Sequence, residues 1–173
     1  CWEAIERARA VRQLKSSDDR YRAFIANSSE AIWCYELEQS IPVTLPGDEQ
    51  IEMLLKHGYL AECNDAMARM YGYETANQIL GARIGDLLVF ADPQNIALLR
   101  ASKESGYSLT DFESREVDRY GNTKYFMNNL TAIRENDVLV RGWGTQRDVT
   151  EQKRAAEALR ASEERLRRIT TAT

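Results

Sequence analysis

Three strand-length stretches follow one another near the end of the chain with only a turn between neighbours, and they restrict the fold more than any other feature. They are Leu109 to Arg119, Thr123 to Arg134 and Leu139 to Arg147, joined by Tyr120-Gly121-Asn122 and Glu135-Asn136-Asp137. Links this short leave only antiparallel pairing, because a parallel crossover needs a dozen or more residues. The last strand then runs through Asp148-Val149-Thr150 into a charged stretch, Glu151 onward, that lacks Gly and Pro and favours helix. Thr150 is a candidate N-cap, and Glu151 suits the positive end of the helix dipole. A strand wired without slack to a departing helix can act as an output lever.

Upstream, Trp2 to Lys15 reads as a helix in which Trp2, Ile5, Ala8, Val11 and Leu14 form a thin apolar stripe suited to a two-helix seam. Ser16-Ser17-Asp18 reads as a stop and a fresh N-cap for a second short helix through about Ala26, with Tyr21, Phe24 and Ile25 on one side. Ala31 to Leu37 is a strand. Glu38 to His57 is less regular, broken by Pro42, Pro46 and Gly47, with a short helix from Glu49 to Lys56 capped by Asp48. His57, beside Gly58, reads as a helix-end residue rather than a ligand. Tyr59 to Cys63 is a second strand, after which Asn64 or Asp65 caps a helix carrying Met67, Met70 and Tyr71. Asp92 caps a further helix with Pro93 at its first position, ending near Gly106. The chain's two ends resemble each other: Ser17 to Ile25 parallels Ser162 to Thr170, each after a charged helix. This reads as a tandem array, with chance similarity as the alternative.

Length and charge narrow the functional classes. The 173 residues suit one domain with connecting helices. A net charge of -4 with both signs interspersed gives no case for nucleic acid or an anionic membrane. No apolar run approaches the ~20 residues of a membrane span. Cys1, Cys34 and Cys63 form neither a metal spacing nor a disulfide framework, which fits a reducing cytoplasm. There is no signal-peptide pattern, and a start at Cys1 reads as an excised fragment. No Ser/His/Asp or Cys/His constellation, metal cluster or phosphate loop is present, so no catalytic or metal-binding residue is assigned. The expectation is a non-catalytic segment.

Four motifs in order resemble the PAS sensor family. Tyr59 to Tyr73 is similar to its strand-Asn-helix-Phe/Tyr-Gly-Tyr segment. Gln78-Ile79-Leu80-Gly81 resembles its following turn, and Asp86-Leu87-Leu88 the segment after that. Asp148-Val149-Thr150-Glu151-Gln152-Lys153 resembles the signature that ends many such domains. Gly121 falls where the family has an Asp-Gly hairpin, with Tyr120 in place of the Asp. The resemblance implies an α+β fold: a five-stranded antiparallel sheet with short helices on one face, flanked by N- and C-terminal signalling helices. It divides the chain into a linker helix (1–16), a PAS domain (17–150, with an insertion at 38–57) and a signalling helix (151–173) that starts a further unit. It also implies a bacterial multi-domain signalling protein, such as a sensor histidine kinase or a nucleotide cyclase, with its effector in the same parent chain.

Covalent flavin and haem do not fit the family's patterns. The region after the Leu-Gly turn, Ala82 to Asp86, has no Cys, and the helix from Pro93 to Ser105 has no His. Non-covalent flavin stays open, as does a small polar or aromatic ligand. Aligning the strands with the family places Phe126, Asn128, Leu130 and Ala132 inward. Gln146 falls where flavin-binding members place an inward Gln, with Gly142 and Gly144 on its face. Trp33, Tyr35, Phe112 and Ser114 also point in, and Met67 and Tyr71 complete the candidate ligand set. Buried amides beside glycines suggest a cavity for a polar molecule. The alternative is a filled core, with Asn128 and Gln146 bonded to each other or to water and the glycines making room for Trp33 and Phe126.

Tyr125, Met127, Trp143 and Val117 fall on the outer face, an apolar stripe for a flanking helix or a second protomer, with the Trp2 to Lys15 helix as the nearest candidate. Ala155, Leu159, Ser162, Leu166 and Ile169 follow a 4-3-4-3 spacing, a short coiled-coil seam. Trp2, Tyr125, Met127, Trp143, Asp148, Thr150 and Leu159 are thus the candidate relay residues. The leading expectation is a cytoplasmic, homodimeric sensor that binds a small ligand and signals through paired helices. The rival is a ligand-free dimerisation and relay unit in a tandem array.

Overall fold

The computed structural model describes residues 2–89 and 92–171, and the side chains up to residue 168. Cys1 and the side chain of Ile169 lie outside them. Helix α1 (Trp2–Asn27) leads into strand β1 (Ala31–Pro42), helix α2 (Gly47–His57) and strand β2 (Gly58–Cys63). Helices α3 (Asp65–Met70), α4 (Ile84–Leu87) and α5 (Pro93–Glu104) follow, with a 3-10 turn at Ala76–Gln78. Strands β3 (Ser108–Val117), β4 (Thr123–Glu135) and β5 (Val138–Asp148) form the meander, and helix α6 (Thr150–Thr171) ends it. The strands make one antiparallel sheet in the order β2-β1-β5-β4-β3. The first and last strands are therefore central neighbours, with Ala31 opposite Gln146.

The meander's second turn is tight because Asn136 and Asp137 both accept positive φ, 48° and 61°, the backbone of a type I′ hairpin. The caps form at Asn64, whose side chain accepts the Met67 N–H at 3.0 Å, and at Asp92, whose carboxylate accepts the Gln94 N–H at 2.8 Å. Each satisfies a backbone donor that the first helical turn leaves free. Asn64 also accepts the Ile32 N–H and donates to the carbonyls of Ile25 and Glu30. One buried amide thus ties the end of α1, the start of β1 and the start of α3 together.

Four expectations about local structure are corrected. Helix α1 has no break at Ser16-Ser17-Asp18. Arg20 Nε donates to the Ser16 carbonyl, and Arg22 pairs with Asp18 at 2.8 Å, both one turn apart across the expected joint. These i,i+4 contacts let the helix continue where the sequence offers a cap. Strand β1 does not end at Leu37. It resumes after an irregularity, with Ile41 opposite Leu139 and Pro42 opposite Val138, and Pro42 is tolerated because it is the last strand residue. Helix α2 is preceded by Pro46 rather than capped by Asp48, and the Asp48 carboxylate takes Arg100 at 2.9 Å. His57 is the last residue of α2. At α6, Thr150 is the first helical residue rather than the cap, and Asp148 Oδ1 accepts its N–H at 2.8 Å.

Candidate functional site

A cavity of about 130 Å³ lies between the inner face of the sheet and helices α2 to α5. Trp33 and Tyr35 reach it from β1, Phe112 and Ser114 from β3, Asn128 from β4 and Gln146 from β5. Met67 and Tyr71 come from the α3 region. Strand alternation explains the set, since residues two apart share a face. Leu130 and Ala132 lie on the same wall. Phe126 is the exception. It is fully buried in the adjoining core, its ring stacked on Tyr71 with centroids 5.3 Å apart. The segment 38–57 contributes Ile41, Gln50, Ile51 and Leu54, so the irregular stretch of the sequence builds one wall.

The volume missing at the glycines is occupied by aromatic rings. Gly144 lies opposite Trp33 and Gly142 opposite Tyr35 across the β1–β5 pair. A Cβ on Gly144 would stand 2.2 Å from the Trp33 ring, and one on Gly142 would stand 2.4 Å from the Tyr35 ring. The glycines make room for Trp33 and Tyr35, not for Phe126.

At one end of the cavity four side chains form a hydrogen-bond cluster around Glu116. Ser114 Oγ donates to its Oε1 at 2.6 Å, Gln146 Nε2 donates to the same oxygen at 3.0 Å, and the Tyr71 hydroxyl donates to Oε2. Gln146 also donates to the Tyr71 hydroxyl at 3.1 Å, and Asn128 Nδ2 donates to Ser114 at 2.8 Å. Asn128 and Gln146 thus do not bond each other; both feed the same carboxylate cluster. Glu116 was missing from the sequence expectation. Its signal is the alternation that places Phe112 and Ser114 inward, which continues to Glu116, the pattern Phe112-Ser114-Glu116.

Burial pushes the Glu116 carboxyl above its ordinary range, against the pull of the Ser114, Tyr71 and Gln146 donors. Burial and the neighbouring Glu116 raise the Tyr71 phenol well above its ordinary value. A carboxyl with a raised folded value binds its proton more tightly folded than unfolded. Its contribution is therefore full below the ordinary value of 4.5 and is lost as pH rises through the raised value. The unfolding free energy of the wild type, minus that of Glu116→Gln, is expected to fall as pH rises from the acid side and then level off. Urea titrations across pH 4.5 and upward check this; a flat or rising difference would contradict it.

Two residues beyond Gln146, the sheet hands over to α6. Asp148 Oδ2 takes Lys124 at 3.0 Å while Oδ1 takes the Thr150 N–H. Burial raises the Asp148 carboxyl, but the hydrogen bonds from Thr150 and Lys124 outweigh it and hold the group below its ordinary range. The buried Thr150 hydroxyl accepts the Tyr125 N–H at 2.9 Å and donates to the Tyr125 carbonyl at 3.4 Å. Lys153 pairs with Glu113 and lies over the Tyr125 ring, 5.0 Å from its centroid. The first turn of α6 is thus fastened to the outer face of β3 and β4. Thr150→Val keeps the shape and removes both bonds to Tyr125, with an expected loss of about 1–3 kcal/mol. Urea unfolding, with faster hydrogen exchange at the Tyr125 amide, is the check.

The outer face is met by α1, but through Tyr21 rather than the Trp2 to Lys15 part. The Tyr21 and Trp143 rings meet edge to face, with centroids 6.0 Å apart. Tyr125 and Met127 are half-buried on that face. Trp2, Ile5, Val11 and Leu14 are exposed, as are Leu159 and Leu166 on α6. Among the described residues no group of three or more His, Cys, Asp or Glu could hold a metal ion, and no helix is long and apolar enough to cross a membrane.

A sheet of this order, with helices enclosing a cavity on one face and a helix leaving its last strand, is the architecture of a PAS domain. A family model of the PAS domain matches residues 51–151, more than half of the chain, and the chain belongs to that family. PAS domains are sensory, non-catalytic modules of signalling proteins. Among solved structures, an RNA-binding light-oxygen-voltage receptor aligns with a TM-score of 0.57 at 21% identity, covering 85% of this chain and 37% of that one. This chain thus spans little more than a third of that receptor. The PAS domain of a protein from Colwellia psychrerythraea aligns with a TM-score of 0.55 at 21% identity, covering 78% and 97%. A sensory box histidine kinase/response regulator from Burkholderia thailandensis aligns with a TM-score of 0.52 at 22% identity, covering 86% and 98%. At these identities the likeness speaks for the fold alone. No curated protein matches the sequence.

Proposed function

We propose that the chain is a cytoplasmic sensory unit that binds a small ligand in its core and relays its presence through flanking coiled-coil helices to an effector in the same parent chain. The observation that carries this reading is the position of Gln146. It joins Glu116 and Tyr71 at the polar end of the cavity, and two residues later Asp148 holds the first N–H of α6. A ligand that changes the Glu116 cluster acts on the strand that aims the helix. Only a ligand with different affinity for two helix arrangements can shift their balance. The exposed Trp2, Leu14, Leu159 and Leu166 are the surfaces on which a homodimer through the flanking helices would form.

A ligand-free relay unit within a tandem array is the second reading. Its support is the filling of the space beside Gly142 and Gly144 by Tyr35 and Trp33, and the partners that Asn128 and Gln146 find within the protein, Ser114 and Glu116. The cavity, about 130 Å³, is below the roughly 300 Å³ at which ordinary ligand sites begin. Native mass spectrometry of protein purified from its own host decides between the two. A stoichiometric bound small molecule, lost in a Gln146→Leu variant, supports sensing. An empty protein, together with unchanged signalling by Asn128→Leu and Gln146→Leu in the parent, supports the relay unit.

A further inference from the structure

We infer that the cavity selects a ligand with a hydrogen-bond-donating head, neutral or cationic, over an anion of the same shape, and that Glu116 makes the selection. This rests on the ligand-binding reading above and names the class of ligand. Glu116 is buried on the inner face of β3 and lines the cavity. The three donors that reach it are all uncharged: Ser114, Tyr71 and Gln146. Among the described residues no Lys or Arg pairs with it. The lysine opposite it in the β3–β4 register, Lys124, is held by Asp148 instead. The polar end of the cavity therefore offers a carboxylate without a counter-cation.

The remaining walls are largely apolar, with Ile41, Ile51, Leu54 and Leu139 facing the space beyond the cluster; Lys103, the cation in the lining, donates to the Leu45 carbonyl on the α2 and α5 side, and Gln50 takes the Tyr107 hydroxyl. In such surroundings an anionic head would meet a like charge with little screening, whereas an N–H donor or an ammonium group supplies what the carboxylate lacks. The volume of about 130 Å³ is close to that of an apolar cavity that takes up benzene, about 150 Å³. The class is thus a single-ring or short branched molecule bearing an amine, amide or azole head, with its apolar body toward α2.

Benzylamine, benzamide and benzoate share a ring and differ in the charge and donors of the head. Their affinities for the wild-type protein and for Glu116→Gln, measured by ligand-observed NMR and calorimetry at neutral pH, test the inference. Benzylamine and benzamide are expected to bind at least about tenfold more tightly than benzoate, a difference of about 1.4 kcal/mol. In Glu116→Gln the gap between benzylamine and benzoate should close, while Ser114→Ala, which keeps the carboxylate, should retain it. Equal binding of benzoate and benzylamine to the wild type overturns the selection and leaves ligand binding standing, a result independent of whether Glu116→Gln folds. An unchanged preference in a folded Glu116→Gln overturns the role of Glu116. Failure of all three probes to bind the wild type overturns the selection. The ligand-binding reading itself falls only if the protein from its own host is also empty.

Discussion

Gly144→Ala is expected to cost about 3 kcal/mol or more, the upper end of overpacking penalties, and to lower the unfolding midpoint by roughly 6–12 °C. The added Cβ meets two obstacles, the Trp33 ring at 2.2 Å and the Asn129 carbonyl oxygen at 2.5 Å. The second belongs to the backbone of the neighbouring strand, so shrinking Trp33 cannot relieve it. Gly142 differs, because its three nearest contacts are all atoms of the Tyr35 side chain, two of the ring and the hydroxyl oxygen. Tyr35→Leu should therefore restore much of the stability lost in Gly142→Ala, whereas Trp33→Leu should leave Gly144→Ala still impaired. Thermal unfolding of the two double variants checks the pair. Equal rescue at both positions would mean that the β4 backbone yields.

Tyr71→Ala should cost about 3–5 kcal/mol, the range for removing a large buried aromatic side chain. Tyr71 is buried, stacks on Phe126 and donates to Glu116. Tyr71→Phe keeps the stack and removes only the hydroxyl, leaving Glu116 with Ser114 and Gln146 as donors; its expected cost is about 1–3 kcal/mol. The difference between the two variants in urea unfolding separates ring packing from the polar cluster. If Tyr71→Phe is as damaging as Tyr71→Ala, the cluster and not the stack holds this part of the core.

The fold was legible where the chain repeats a simple period. Alternation along β4 separated Phe126 and Asn128 from Tyr125 and Met127, and the same rule put Trp33 and Tyr35 inside. It was lost where local chemistry has two solutions. Ser16-Ser17-Asp18 can cap a new helix or continue an old one, and the Arg20 and Arg22 contacts favour continuation. Thr150 reads as a cap, yet its hydroxyl serves Tyr125 on another strand, a long-range pairing that no short window contains. Glu116 is hidden in the sequence because a glutamate on a strand ordinarily marks the solvent side. Only the three uncharged donors gathered from β3, β5 and the end of α3 make its burial tolerable, and those meet through the fold rather than along the chain. The wall built by Ile41, Gln50, Ile51 and Leu54 was hidden for a similar reason: Pro42, Pro46 and Gly47 obscure the elements that carry it.

The pairing of Ala31 with Gln146 also has a mechanical meaning. The chain enters β1 and leaves β5 at the same end of two adjacent antiparallel strands. Tension drawn between α1 and α6 would first strain the ties at Asn64 and Thr150, then load that end of the β1–β5 pair and peel the two strands apart rung by rung, as a zipper opens, instead of shearing all the rungs together. The outermost rungs are also those nearest Gln146 and the Glu116 cluster. A domain strung this way in a longer protein is a soft link under tension, one that would begin to yield at its polar site before its apolar core is strained.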